Sequence, residues 1–222
     1  MATLVLDYDG TIHDTNRIYA PSVRLVYADL VGRGLAPMRN FTDEEIASFI
    51  GWKADELWGA MVPDLSKDLQ VKSIEAVARN MGCLIESGEA RLYPGAEEAL
   101  DELKKAGHEL IFLSNCLHSY MEMHRKVFEL DRFFSGFYCT EDYNYLSKPE
   151  IFEYVKRDFG DPSTKTYIAI GDRLHDIELA TSAGLLSIGC LYGFGRPGEL
   201  DPATIKIDDV RKMPEAVEEL LA

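Results

Sequence analysis

The sequence predicts an α/β fold: a doubly wound, mostly parallel sheet with an inserted all-helical domain. Three observations carry this. Short apolar runs recur along the chain, and the first, second and fourth stop at Asp7, Ser114 and Gly171. Between the later runs lie segments of helical length and spacing, the alternation expected of βαβ units. The stretch between the first run and the second breaks this alternation, because no convincing strand appears in it. Residues 1–13 and 92–222 are accordingly expected to form the α/β core, and residues 14–91 a helical insertion.

The first run, Thr3-Leu4-Val5-Leu6, leads into Asp7-Tyr8-Asp9-Gly10-Thr11 and reads as a buried strand ending in a glycine turn. From Asp14 to Arg91 the pattern reads as helical throughout. Thr42 is a candidate N-cap before Asp43-Glu44-Glu45, and Ile46, Ile50, Leu57 and Met61 fall at helical spacing, as do Val71, Ile74, Val77 and Met81. Pro94-Gly95 opens a helix to Lys105, closed by Gly107. Leu110–Leu113 is the second strand, stopping at Ser114-Asn115, and a helix follows from His118 to Glu129. Gly136–Cys139 is the third strand, before a helix from Pro149 to Gly160. Tyr167–Ile170 is the fourth, ending at Gly171-Asp172, before a helix that closes at Gly184. Leu186–Cys190 is the fifth. Thr204–Ile207 is a candidate sixth, before a terminal helix starting near Asp208.

The chain has 222 residues, 46% apolar and 27% charged, the balance of a soluble globular protein. Its four cysteines are scattered without zinc spacing, which points to free thiols in a reducing compartment. No apolar run approaches the ~20 residues of a membrane span, so the chain reads as cytoplasmic. Its net charge of −15 repels nucleic acid and anionic membranes, neither of which is expected as a partner. The same acidity would repel a phosphorylated substrate, so a phosphate site here needs a cation. The expected assembly is a monomer or homodimer.

In open α/β sheets, ligands bind at the C-terminal ends of the strands. The residues just past each strand are therefore the candidates: Asp7 and Asp9 after the first, Ser114 and Asn115 after the second, Asp172 after the fourth. Asp176 lies four residues beyond Asp172, and Lys148 precedes the helix after the third strand. Several carboxylates at one rim repel one another unless a cation joins them, and hard oxygen ligands select Mg²⁺. A carboxylate can attack phosphorus, and a second carboxylate two residues on can trade a proton with the leaving oxygen and then with water.

At these residues the chain resembles the haloacid dehalogenase-like phosphatases. Asp7-Tyr8-Asp9-Gly10-Thr11 is similar to their DxDGT motif, Ser114 to the second motif, Lys148-Pro149 to the third, and Gly171-Asp172-Arg173-Leu174-His175-Asp176 to the fourth, GDxxxD. The resemblance implies Asp7 as nucleophile, Asp9 as acid/base, and Ser114 and Lys148 as catalytic partners. It places Mg²⁺ on Asp7, Asp9 (through its carbonyl) and Asp172, with Asp176 orienting Lys148 and the metal shell. The insertion resembles the C1 cap of the phosphoglycolate phosphatase-like branch, and Leu191-Tyr192-Gly193-Phe194-Gly195 followed by Glu199-Leu200 in the core also resembles that branch. The implied substrate is a small phosphorylated metabolite. Its candidate binding residues are Gly10, Thr11 and Asn115 in the core, and Gly51, Trp52 and Lys53 in the cap. A β-phosphoglucomutase-type mutase would keep every one of these residues. A phosphate-accepting signalling or binding protein is the alternative from another class. Two departures stand out: Glu150-Ile151 follows Lys148-Pro149 where many relatives have x-Pro, and His13 occupies a position that is usually apolar. His13 reads as a loop histidine without a role, with a substrate contact as the alternative, Arg173 as a substrate contact or a balance to nearby acids, and His108, His118 and His124 as ordinary surface or helix residues.

Overall fold

The structure, a computed structural model, describes residues 1–50 and 54–222. Continuous apolar runs make the strands: β1 (Thr3–Leu6), β2 (Glu109–Ser114), β3 (Gly136–Cys139), β4 (Tyr167–Gly171), β5 (Leu186–Cys190) and β6 (Ile205–Ile207). Among the described residues they form one sheet in the order β3-β2-β1-β4-β5-β6, and every pairing is parallel. Such runs suit strands buried on both faces. Alternate residues serve opposite faces. Leu4, Leu6, Leu110, Phe112, Ile168 and Ile170 pack in one core, while Val5, Ile111, Leu113 and Ala169 pack in another.

The chain divides into two compact units, Met1–Asp14 with Leu92–Ala222, and Thr15–Arg91. The first unit holds the sheet with helices α5 (Ala96–Lys105), α6 (His118–Val127), α7 (Lys148–Phe159), α8 (Leu174–Ala183) and α9 (Met213–Leu221); the second holds α1 (Asn16–Gly32), α2 (Asp43–Ala47), α3 (Ala54–Met61) and α4 (Lys67–Glu86). In the sheet unit, α5 and α9 cover one face with Ala96, Leu100, Leu103, Met213 and Val217. The other face is covered by α7 and α8 through Ile151, Phe152, Val155, Leu179 and Ala180. Where the chain leaves and re-enters this unit, the two segments are tied by a bridge between His13 and Leu92 and by Tyr93 N–H donating to the Ile12 carbonyl.

The sequence expectations hold for all six strands and most helices, with three corrections. Thr15–Arg91 is not helical throughout. Gly34, at a positive φ, and Pro37 break the pattern after α1, and helix resumes only at Thr42, whose hydroxyl accepts from Glu45 N–H while Glu45 accepts from Thr42 N–H. The terminal helix starts at Met213 and not near Asp208. Asp209 accepts from Arg211 N–H and holds a 3-10 turn at Val210–Lys212, and Pro214 opens the helix beyond it. Finally, His108 and His124 are buried, His108 accepting from Ala2 N–H at 3.2 Å. No helix among the described residues is long and apolar enough to cross a membrane.

The core of the helical unit centres on Trp58, fully buried beside Leu57, Met61, Ile46 and Phe41. Trp58→Ala should cost about 3–5 kcal/mol, read as a shift in the chemical denaturation midpoint. An unchanged midpoint would contradict this packing.

Candidate active site

The strand order reverses between β1 and β4. After β1 the chain builds outward through β2 and β3, then returns to place β4 on the other side of β1. The C-terminal ends of these two neighbours frame the crevice such sheets use for ligands. Asp7 leaves the end of β1 and Asp172 the end of β4, with Leu6 paired to Ile170 between them. Two helix starts supply the rest of the charge. Lys148 is the first residue of α7, and Asp176 lies in the first turn of α8. The residues that depart from Lys-Pro-x-Pro have local work. Glu150 accepts from Ser147 N–H at 2.8 Å and from its hydroxyl at 2.6 Å, fixing the start of α7, and Ile151 is fully buried in the core.

Lys148 Nζ donates to Asp7 Oδ1 at 2.7 Å and to Asp176 Oδ1 at 2.6 Å, and all three side chains are buried. Burial disfavours the Lys148 ammonium, but the Asp176 and Asp7 carboxylates outweigh it and raise its pKa. Asp7 moves the other way from an ordinary paired carboxylate. Burial raises it to about 7 despite Lys148, and Asp176 and Asp9 push in the same direction. Asp172 is also raised, by burial and then by Asp7 and Asp176. Asp7, Asp172 and Asp176 bring carboxylate oxygens within 4.8 Å of one another. One ammonium among these carboxylates leaves a surplus of buried negative charge.

Asp172 is itself fixed. Its Oδ2 accepts from Phe194 N–H at 2.7 Å, and its Oδ1 faces the Thr11 hydroxyl at 3.5 Å. Gly10, at φ +82°, packs so close that a Cβ there would collide with the Asp172 carboxylate, and a Cβ on Gly193 would strike both Asp172 and the Gly10 carbonyl. Asp176 Oδ2 accepts from Arg173 N–H at 3.0 Å, so both its oxygens are engaged. The Arg173 side chain meets Glu199 at 2.9 Å, and the two Glu199 oxygens also take the N–H groups of Leu174 and Arg196. Asp9 is half-buried, and its Oδ1 is 2.7 Å from the Tyr120 hydroxyl and 3.0 Å from His13 Nδ1.

Of the candidates read from the sequence, Asp7, Asp172, Asp176 and Lys148 meet in one buried cluster, and Asp9, Gly10 and Thr11 form the turn beside it. Ser114 is buried at the end of β2, which pairs with β1, while Asn115 is exposed. Gly51, Trp52 and Lys53 lie outside the described residues. His13 is not an idle loop residue: it is fully buried and bonded to Asp9. Nothing in the sequence marks Tyr120 and His124 as neighbours of the site. Their i, i+4 spacing places them on one face of a helix, but a helical face alone does not say what it meets.

A family model of haloacid dehalogenase-like hydrolases matches residues 1–184. A pyrophosphatase, PpaX, from Listeria monocytogenes is 26% identical over 201 residues, 90% of this chain and 88% of that protein. A phosphoglycolate phosphatase from Agrobacterium fabrum is 27% identical, over 98% of this chain and 92% of that protein. Among solved structures, a predicted phosphoglycolate phosphatase from Haemophilus somnus aligns with a TM-score of 0.77 at 22% identity, covering 98% of each chain. With the family model spanning β1 to α8, and hence Asp7, Lys148, Asp172 and Asp176, the chain belongs to the haloacid dehalogenase-like hydrolases.

Proposed function

We propose that the protein is a Mg²⁺-dependent phosphatase that hydrolyses a small phosphomonoester through a covalent phosphate on Asp7. The observation that carries this reading is the 2.7 Å contact from Lys148 Nζ to Asp7 Oδ1, inside a buried cluster of oxygens with surplus negative charge. Lys148 engages Oδ1, which leaves Oδ2 of Asp7 to attack phosphorus. As that bond forms, the bond from phosphorus to the ester oxygen breaks, and Asp9 passes its proton to the departing alcohol. In the second half, the Asp9 carboxylate takes a proton from water. The water oxygen attacks phosphorus, the bond to Asp7 breaks, and inorganic phosphate leaves. The Lys148 ammonium offsets charge on Asp7 in both halves. The Ser114 hydroxyl, at the end of β2, is the group assigned to the phosphoryl oxygens.

The donor set of this cluster fits Mg²⁺, because its ligand atoms are all carboxylate oxygens, without sulfur or nitrogen. Asp7, Asp172 and the Asp9 main-chain carbonyl are assigned as direct ligands. Asp176, with both oxygens engaged, is assigned the support of Lys148 and of the shell around the ion. When bound, the cation supplies charge neutralisation at the attacking and transferring oxygens. The relatives named phosphoglycolate phosphatase and pyrophosphatase support a small phosphorylated substrate. The helical unit Thr15–Arg91 is assigned as a C1-type cap.

Phosphate release from a panel of small phosphomonoesters, in Mg²⁺ and in EDTA, tests this directly. Release should depend on the metal and fall by several orders of magnitude in Asp7→Asn. No release from any ester would overturn the reading, and conversion of a sugar phosphate into its isomer would move it to a mutase. The metal-free protein should also show the cost of its surplus charge. Asp7 has a folded pKa of about 7 against an unfolded value near 3.8, so the folded state holds that proton more tightly. The resulting stability is complete below about pH 4 and is lost as pH rises through 7, a difference on the order of a few kcal/mol. Thermal melts in EDTA should therefore show a smaller loss of Tm between pH 5 and pH 8 in Asp7→Asn than in wild type. Equal losses would show that Asp7 carries no such penalty.

A further inference from the structure

The candidate acid/base sits on a support that the four-motif reading leaves unexplained. Its Oδ1 accepts from the Tyr120 hydroxyl at 2.7 Å and lies 3.0 Å from His13 Nδ1, and the Tyr120 oxygen and His13 Nδ1 are 3.3 Å apart. His13 is fully buried and stacks on Tyr8 with a ring separation of 5.3 Å and an interplanar angle of 8°. His124, one turn along α6 from Tyr120, is also fully buried. Its ring lies 4.3 Å from the Tyr120 ring and 4.4 Å from the His13 ring, and its Nδ1 is 2.8 Å from the Tyr8 hydroxyl. Burial pushes His124 down to about 3, so it is a neutral wedge and does not compete as a cation for Asp9. Tyr8 in turn packs on Phe112 of β2. The four rings form one packed cluster, half-buried at Tyr120, that leans on the central sheet and presents two polar atoms to a single oxygen of Asp9.

Such an arrangement does more than satisfy buried polar groups. Asp9 is partly open to solvent at the end of a glycine turn, where a short carboxylate would otherwise sample several rotamers. Two contacts on one oxygen select one rotamer, and the aromatic stack fixes both contacting groups. A residue that must meet a leaving oxygen within hydrogen-bond reach gains from that restriction, because misplacement by about 1 Å can cost on the order of 100-fold.

We infer that Tyr120 and His13 are positioning residues for Asp9: they anchor its Oδ1 so that Oδ2 exchanges the proton with the leaving oxygen. The inference rests on the acid/base role proposed for Asp9 above. In this arrangement His13 carries its proton on Nδ1 and donates it to Oδ1 alongside the Tyr120 hydroxyl. His13, at a position that is usually apolar, thereby becomes a functional feature of this chain.

The test is leaving-group dependence in the full-length, Mg²⁺-loaded protein. The quantity read is kcat/KM, which reports the steps through departure of the alcohol. An alkyl phosphomonoester needs a proton at its leaving oxygen, whereas p-nitrophenyl phosphate releases a stable phenolate without one. Tyr120→Phe and His13→Phe keep the rings and delete the polar atoms. Each should lower kcat/KM on the alkyl ester by about tenfold or more and leave the aryl ester nearly unchanged. Asp9→Asn, run beside them, should show the same selectivity more strongly, by about 100-fold. Equal losses on both esters, or none, in the ring variants while Asp9→Asn remains selective would overturn the positioning role and leave the acid/base role standing. An unselective Asp9→Asn would overturn both. Tyr120→Phe removes one oxygen and settles the matter if His13→Phe does not fold.

Discussion

An ammonium group buried between two carboxylates ties the architecture of this protein together. Lys148 cannot sit in the interior without partners, since an unpaired buried charge costs several kcal/mol, and its partners come from distant parts of the chain. Asp7 arrives on β1, Asp176 on α8, and Lys148 itself on the first turn of α7. The two donor contacts, at 2.7 and 2.6 Å, therefore fix a strand end and two helix starts against one another. The glycines follow from the same crowding: Gly10 and Gly193 are small because Asp172 occupies the space a side chain would need.

The ammonium leaves the site short of positive charge, and that shortage is the chemical content of the crevice. Asp7 and Asp172 are both pushed upward by burial, so their ionised forms are held in an environment that disfavours them. A group held this way binds a cation more readily than a relaxed surface carboxylate, because the ion relieves a penalty already present. The surface acidity, −15 over the chain, is a separate matter. It repels anions at long range, so the phosphate site proposed above depends on a local demand for a cation in the crevice.

Much of this was legible in the sequence, and for a physical reason. Strands buried on both faces must be continuous apolar runs, so Thr3–Leu6, Leu110–Leu113 and Tyr167–Ile170 announce themselves, and the polar residues at their ends mark the ligand-binding rim. Strand order was not legible. Which run pairs with β1 depends on packing between segments far apart in the chain. The Tyr8, His13, Tyr120 and His124 stack stayed hidden for the same reason. Helical spacing shows that Tyr120 and His124 share a face, but only the fold reveals that this face meets the loop after β1. The Arg173–Glu199 pair was likewise present only as two unrelated charges. The break after α1 is marked in the sequence only by Gly34 and Pro37, because the apolar spacing that indicates helix lies beyond them, from Ile46 onward.

The position of β1 has a consequence for how the chain is born. β1 pairs with residues that begin at Glu109 and at Tyr167, so the central strand of the sheet is synthesised long before either neighbour exists. Asp7 precedes its ammonium partner by 141 residues, and that partner precedes Asp176 by a further 28. The contacts of Thr15–Arg91 are far more local, and this unit can condense while the ribosome is still extending the rest. The buried cluster of Asp7, Lys148 and Asp176 can therefore close only after α8 has been made. Until β2 has been made, β1 is an apolar strand without an edge to join, the kind of species that chaperones shield.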